Sequence, residues 1–437
     1  MHTPTQLLQT LSDGQHDPVL AALYALDGTR ESLDKARARA VHVVSRFIEE
    51  FSPASDAAAA LFTGPGRTEI GGNHTDHQHG HVLCASVDLD MLACAAPNGR
   101  DSIRIHSEGY PPLEVDLEQL EPRPEEVNTS AALVRGVAAR IRALGYALAG
   151  FDAAVTSQVL SGSGLSSSAA YEVLVGTILS GLYNGGRANA VLIAKVGQFA
   201  ENIYFGKPCG LMDQCVSAVG GFCLMDFADP GAPAVESIPC VPADHGYALC
   251  LVDAGGSHAN LTDEYAAIPQ EMRSVAKLLG KSVLGETDPA EFYARLGELR
   301  GKVPDRALLR AMHFYGDNQR VLDQADALRK GDFARFLALV RASGVSSMDL
   351  LQNIYPSGDP SERSLSLALA LCRRLLEKDG AWRVHGGGFA GTVQAFVPMG
   401  QLEDFRKEME AVFGPGTCHD LSVRPAGGIQ VTAEGEA

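Results

Sequence analysis

No run of about 18 uninterrupted apolar residues occurs anywhere in this 437-residue chain, so the sequence offers no transmembrane helix. The start, Met1-His2-Thr3-Pro4, lacks the basic and then apolar pattern of an export signal, and cytoplasmic residence is the expectation. Cysteine gives little to build on. The nine thiols are odd in number and scattered from Cys84 to Cys418, which excludes a disulfide framework. None has metal-ligand spacing, since Cys209 and Cys215 stand too far apart for a Cys-x-x-Cys pair. Basic residues are also scarce: 36 Lys and Arg face 53 Asp and Glu, for a net charge of −17. That field disfavours nucleic acid and anionic membrane as partners. Internal repeats are absent, and low complexity is confined to Ala57 to Ala60.

What remains is an ordinary soluble composition, 46% hydrophobic and 20% charged, in a chain long enough for two cores. Apolar spacing predicts a helix over Glu31 to Phe51, which Pro53 ends. Val82 to Ala96 reads as a long apolar strand, Ser102 to His106 and Leu113 to Leu117 as short ones, Ser130 to Leu144 as a helix, and Phe151 to Val159 as a strand. Amphipathic helices fill Tyr265 to about Leu351 and Glu362 to Lys378. Trp382 to Val384 and a pair within Cys418 to Val431 read as strands, Thr392 to Val397 as a strand or the start of a helix, and Leu402 to Phe413 as a helix. The class is mixed α+β, with a domain boundary between about Gly220 and Tyr247.

Four glycine-rich runs stand out against this background. The first is Ser161-Gly162-Ser163-Gly164-Leu165-Ser166-Ser167-Ser168-Ala169-Ala170, which leads into an apolar helix-forming segment from Tyr171 to Leu182. Glycines allow close backbone approach, and the unpaired N–H groups and dipole of a first helical turn attract phosphate. A serine-capped helix after a flexible loop explains the same residues without any ligand. The second run, Gly64 to Gly80, carries Arg67, Glu69, Asn73, His74, Asp76, His77 and His79 in what reads as a polar loop between two apolar strands. Its imidazoles lack a matching ligand cluster elsewhere, so recognition of a hydroxyl-rich molecule accounts for them better than a metal does. The third run is Gly206 to Gln214, preceded by Glu201, with Asp213 at the start of an apolar stretch where a helix N-cap is the plain explanation. The fourth, Val384 to Gly391, is compatible with a hinge between strands.

Order and spacing relate the four. Gly66-Arg67 through His74-Thr75-Asp76 is similar to the signature G-R-x-N-L-I-G-E-H-T-D. Gly164-Leu165-Ser166-Ser167-Ser168-Ala169 matches G-L-S-S-S-A, Pro208 to Gln214 is similar to P-C-G-I-M-D-Q, and Gly386-Gly387-Gly388-Phe389 corresponds to G-G-G-F-G-G. On these residues the chain resembles the GHMP small-molecule kinase superfamily and, within it, the galactokinase family, from about Phe47 to the end.

The resemblance implies a GHMP kinase fold: a helical extension at 1–46, an N-terminal ribosomal protein S5 domain 2-like domain at 47–225, and a ferredoxin-like domain at 226–437, with substrate in the cleft between. It implies ATP-dependent phosphorylation of a galactose-type sugar at its anomeric hydroxyl. Asp213 and Arg67 would be catalytic; Asn73, His74, Asp76, Gly210 and Tyr265 would bind the sugar; Gly162, Ser163, Gly164, Leu165, Ser166, Ser167 and Ser168 would bind ATP; and Ser168 and Glu201 would hold Mg²⁺. Monomer or weak homo-oligomer is the implied state. Two other outcomes stay open: a same-fold kinase for galacturonate, N-acetylgalactosamine or arabinose, and a catalytically silent sugar and ATP sensor.

Departures from the pattern bear on the choice. Asn73 stands where the family has the Glu expected near the sugar C6 hydroxyl, and an amide is compatible with either a hydroxymethyl group or a carboxylate there. Ser130 stands in place of the Trp that lines the nucleotide base, Ala390 replaces a glycine, and His385 replaces a small polar residue.

Overall fold

A computed structural model describes residues 2–159, 165–207, 209–255, 261–359 and 361–432. Helices α1 (Pro4–Ser12), α2 (Asp17–Tyr24) and α3 (Arg30–Phe51) come first. Thr3 and Thr29 cap α1 and α3 by accepting from backbone N–H groups, and α3 stops at Ser52, which takes a left-handed conformation directly before Pro53.

An eight-stranded sheet follows. Its path runs β12 (Ile429–Gln430), β1 (Ala60–Gly71), β2 (His81–Pro97), β5 (Phe151–Ser157), β3 (Ser102–Ser107) and β4 (Leu113–Asp116). The strand β2 is long enough to pair with β5 at one end and with β6 (Phe222–Asp226) at the other, and β6 continues to β7 (Ala234–Ile238). Among the described strands of this sheet only β3 and β5 run parallel. Residues of β2 enter different cores: Ala93 and Ala95 face the helices α4 (Ser130–Ala143), α5 (Ser167–Asn184) and α6 (Ala190–Phe199), Val82 and Cys84 pack with α7 (Met212–Val219), and Leu92, Cys94 and Ala96 pack under α1 to α3. A sheet covered on both faces reads as a continuous apolar run, which is why Val82 to Ala96 shows no alternation.

The second sheet is four-stranded and antiparallel, in the order β11 (Cys418–Leu421), β8 (Tyr247–Asp253), β10 (Thr392–Pro398) and β9 (Ala381–Val384). Helices α8 (Thr262–Leu278), the short α9 (Pro289–Ala294) and α10 (Leu296–Leu299), α11 (Asp305–Arg329), α12 (Phe333–Ser346), α13 (Ser364–Leu376) and α14 (Leu402–Phe413) accompany it. The expected boundary at 225/226 falls inside β6, and β7 still belongs to the first sheet.

Two expectations change. Residues 64–71 are not loop but the second half of β1, paired with β2 through irregularities between Pro65 and Arg67 and between Glu69 and Gly71. The glycines serve approach rather than turning: a Cβ on Gly64 would sit 2.4 Å from the Ala170 carbonyl oxygen of α5. Within 418–431 the two strands do not pair with each other, since β11 joins β8 and β12 joins β1.

A buried ionic tie joins three parts of the chain. Asp90 on β2, with no exposure, accepts from Arg39 of α3 (2.5 Å), Arg424 (2.8 Å) and the Tyr24 hydroxyl (2.6 Å). Burial alone would raise its pKa; the two guanidinium groups outweigh that and hold it below the usual carboxylate value.

Candidate active site

The turn into α5 begins at Ser166, a non-glycine residue in the left-handed region (φ 55°) that makes no capping hydrogen bond. Its hydroxyl instead donates to Asp213 Oδ2. Asp213 is likewise not a cap: it lies in the first turn of α7, after Leu211. Its carboxylate is gripped by Arg67 of β1, with Nε to Oδ1 at 2.6 Å and Nη2 to Oδ2 at 2.7 Å. Burial pushes the Asp213 pKa up, and the Arg67 charge and hydrogen bonds overcome that, so the carboxylate is ionised well below neutral pH. Neither Ser166 nor Asp213 does what the ligand-free explanation requires of it. Both are spent on a group between the helices.

Ser168, one residue into the same turn, donates to Glu201 Oε1 at 3.0 Å. Glu201 is 2% exposed and sits in the wide turn Ala200–Phe205 that Gly206 closes at φ 85°. Lys207 Nζ reaches the same oxygen at 3.2 Å, and Gln214 Nε2 donates to Glu201 Oε2 at 2.7 Å and to the buried Glu172 at 3.0 Å. A hydroxyl and a carboxylate are the hard oxygen donors that suit Mg²⁺. Gly162, Ser163 and Gly164 lie outside the described residues. Leu165 is fully buried, and its carbonyl accepts from the Arg67 N–H at 3.2 Å, which fixes this turn to β1.

Asp76 opens the turn Asp76–Gln78 beside this pair. Burial and, more weakly, the charge of Asp213 push its pKa up to about 6. Gly210 faces it so closely that a Cβ there would lie 2.4 Å from Asp76 Oδ2. His74 Nε2 is 3.0 Å from the Gly387 carbonyl, and burial lowers its pKa to about 4, which leaves a neutral ring donating from that nitrogen. Tyr265 donates its hydroxyl to the Gly388 carbonyl at 2.9 Å, with its ring against Gly387. The third glycine motif therefore closes onto the signature loop. Asn73 is wholly buried, its Nδ2 donating to Glu69 Oε1 at 3.0 Å and to the Gly386 carbonyl at 2.8 Å while its Oδ1 accepts from Asn353 Nδ2 at 2.8 Å.

Beside Ser167 and Ser168 opens a cavity of about 410 Å³, lined also by Tyr171, Glu108, Ser130 and Leu133. Ser130, where the family pattern has Trp, leaves this wall open.

The profile of the GHMP kinases N terminal domain matches residues 132–221, and that of the galactokinase galactose-binding signature matches 45–97. Galactokinase from Actinobacillus pleuropneumoniae serotype 5b is 31% identical over 361 residues, covering 80% of this chain and 88% of that protein. Galactokinase from Mannheimia succiniciproducens is 31% identical over 369 residues, covering 83% and 90%. The chain belongs to the galactokinase family. The crystal structure of Lactococcus lactis galactokinase complexed with galactose superimposes with a TM-score of 0.75 at 24% identity, over 88% of this chain and 98% of that one. Methanococcus jannaschii mevalonate kinase superimposes at 0.60 and 15% identity, over 85% and 99%. These likenesses show the shared GHMP kinase fold.

Sequence reasoning passed over Lys207, Gln214 and Glu172, which surround Glu201. Lys207 and Gln214 lie inside the third glycine-rich run, and a lone cation and amide beside a buried acid were the available signal. It also passed over Arg383, whose Nη2 donates to Glu69 at 2.8 Å across more than three hundred residues of chain; no local pattern announces such a pair.

Proposed function

We propose that the protein transfers the γ-phosphoryl group of ATP to the anomeric hydroxyl of a galactose-type sugar, giving the sugar 1-phosphate and ADP. The observation that carries this reading is the two-pronged Arg67–Asp213 contact beside the first turn of α5. The sugar O1 forms a bond to the γ-phosphorus while the bond from that phosphorus to the β,γ-bridging oxygen breaks, its electron pair leaving with ADP. Asp213 accepts or orients the O1 proton, and Arg67 keeps Asp213 ionised while its charge faces the transferring phosphoryl group. Backbone N–H groups of the α5 first turn, with Ser166 to Ser168, hold the phosphates, and the cavity beside Ser167 takes the nucleoside.

Ser168 and Glu201 are the residues that would hold Mg²⁺, which when bound neutralises phosphate charge. Lys207 adds a cation at the same oxygen. The sugar is read by Asp76, His74 and Tyr265 with the Gly210 backbone; Asp76 accepts from neighbouring hydroxyls, so the wrong epimer leaves a buried acceptor unpaired. Residence in the cytoplasm and action as a monomer or weak homo-oligomer belong to the same reading.

The test is coupled-assay turnover of galactose with ATP and Mg²⁺. Turnover in the wild type and its loss in Asp213→Ala are expected. Calorimetric binding of sugar with no ADP formed from any sugar tried would overturn the reading and leave a silent sensor.

A further inference from the structure

The signature strand carries an acid where the family pattern has an amide, and an amide where the pattern has an acid. Glu69 stands at the Asn of G-R-x-N-L-I-G-E-H-T-D and Asn73 at its Glu. The two side chains touch, Asn73 Nδ2 donating to Glu69 Oε1 at 3.0 Å. The exchange is thus reciprocal within one contact, and the number of carboxylates there is unchanged.

Asn73 has nothing left to offer a ligand. Its second amide hydrogen goes to the Gly386 carbonyl at 2.8 Å, and its Oδ1 accepts from Asn353 Nδ2 at 2.8 Å and Ser347 Oγ at 3.3 Å. Two donors and two lone pairs are the full capacity of an amide. A carboxylate at 73 would aim an acceptor at the Gly386 carbonyl and at Glu69, so an acid at 69 requires a donor at 73.

Glu69 is only half committed. Oε1 accepts from both Asn73 and Arg383 Nη2. Oε2 makes no hydrogen bond among the described residues, yet it is not one of the polar atoms sealed off from solvent. Register is regular from Arg67 to Glu69, so the two share one face of β1. Burial pushes the Glu69 pKa up to about 7, with the charges of Arg383 and Arg67 pulling it down and that of Asp76 pushing it up, so the acceptor is the ionised form that the two guanidinium groups favour. An acceptor with free lone pairs therefore borders the Arg67–Asp213 pair and the Asp76 turn.

We propose that Glu69 Oε2 is the acceptor for a sugar hydroxyl in this protein, a specificity contact moved here from position 73, and that it selects a neutral sugar over one bearing a carboxylate at that edge. This rests on the cleft being the site of a galactose-type sugar. A purely structural role, Glu69 as the counter-ion of Arg383, is the alternative to be separated.

Glu69→Gln separates them, because Gln keeps an acceptor for Asn73 and Arg383 and replaces only Oε2 by a donor. Steady-state kinetics on galactose and galacturonate are the readout, with the melting temperature followed alongside. The expected result is a KM for galactose raised about tenfold with kcat within about twofold, and a galactose-over-galacturonate preference narrowed by more than about tenfold. An unchanged KM, or equal losses on both sugars, overturns the proposal. Should Glu69→Gln fail to fold, the exchange decides: Asn73→Glu alone is expected to weaken galactose binding by calorimetry, and Glu69→Asn/Asn73→Glu to recover most of it, whereas additive losses overturn the proposal. Wild-type protein that binds galactose without turnover would fail the kinase reading and leave this calorimetric comparison intact.

Discussion

Arg67 and Asp213, 146 residues apart in sequence, meet in a two-pronged contact of 2.6 and 2.7 Å that joins β1 to the start of α7. The planar guanidinium supplies two parallel donors, and an ammonium does not. Arg67→Lys is therefore expected to lower kcat by about 10² or more while changing the KM for sugar little, because Asp213 loses both its alignment and part of the charge that keeps it ionised. Asp213→Asn, which keeps the size and loses the base, should lower kcat by about 10³. Single-turnover measurements check that the loss lies in phosphoryl transfer; a change confined to KM would contradict the role given to the pair.

Gly210 is where backbone approach limits side-chain size. A methyl group there would come within 2.4 Å of Asp76 Oδ2, the free end of a short side chain. Asp76 must swing away, so Gly210→Ala is expected to fold with a melting temperature near that of the wild type and to raise the KM for sugar by about tenfold or more. The KM for ATP should stay close to its wild-type value. Equal losses for both substrates would show that the turn itself had been displaced.

The glycine-rich runs told more than the strand and helix periodicity did. Ser166 and Asp213 each had an adequate ligand-free explanation as helix caps, and only the three-dimensional arrangement removed it, by turning Ser166 onto Asp213 and Asp213 onto Arg67. Residues 64–71 looked like loop because glycine and polar residues are rare in strands; here β1 is pressed against α5 at Gly64 and pairs Arg67 with Asp213 and Glu69 with Arg383, so close packing and buried ion pairs override propensity. The departure at Asn73 was visible in the sequence, but its meaning was not. Asn73 and Glu69 form one contact, completed by Arg383, Asn353 and Gly386 from the distant C-terminal half, and no spacing rule reaches across that separation.

Magnesium dependence should report on Glu201. Its Oε1 accepts from both Ser168 and Lys207. Glu201→Gln keeps the shape and removes the charge, and is expected to raise the Mg²⁺ concentration for half-maximal activity by about tenfold or more. Ser168→Ala should act in the same direction and more weakly, since it removes a neutral ligand. Titration of the free protein with Mg²⁺ and ATP by calorimetry checks this without turnover; unchanged Mg²⁺ dependence in both variants would place the metal elsewhere.

Asp88, on β2, gives a pH signature of its own. Burial pushes its pKa up to about 6, against the opposing pull of the Ser422 N–H, which donates to Oδ1 at 2.9 Å. The folded state then holds its proton more tightly than the unfolded chain, whose value is near 3.8. The stabilisation is full below the unfolded pKa and is lost as pH rises through the folded one, between about pH 4 and 6. Asp88→Asn lacks this loss. Its melting temperature relative to the wild type should therefore climb across that window and level off above it, and a constant difference would disprove the shifted titration.

The tie at Asp90 predicts how firmly the first fifty residues belong to the fold. Arg39 comes from α3 and Arg424 from the segment after β11, and both converge on this one buried carboxylate, with Tyr24 and Thr63 completing its shell. Removing a guanidinium leaves a buried charge short of a partner, which costs roughly 3 to 5 kcal/mol when no replacement is available. Arg424 has no exposure and the Arg39 side chain keeps 12%, so water can partly take the place of Arg39 but not of Arg424. Arg424→Met should accordingly destabilise the protein more than Arg39→Met. Because both act through Asp90, the double variant should depart from additivity by about 1 kcal/mol or more in urea unfolding. Strict additivity would mean that the two arginines stabilise the fold independently of one another, Arg39 through the β5 carbonyl of Thr156 that it also reaches rather than through a charge shared with Arg424 at Asp90.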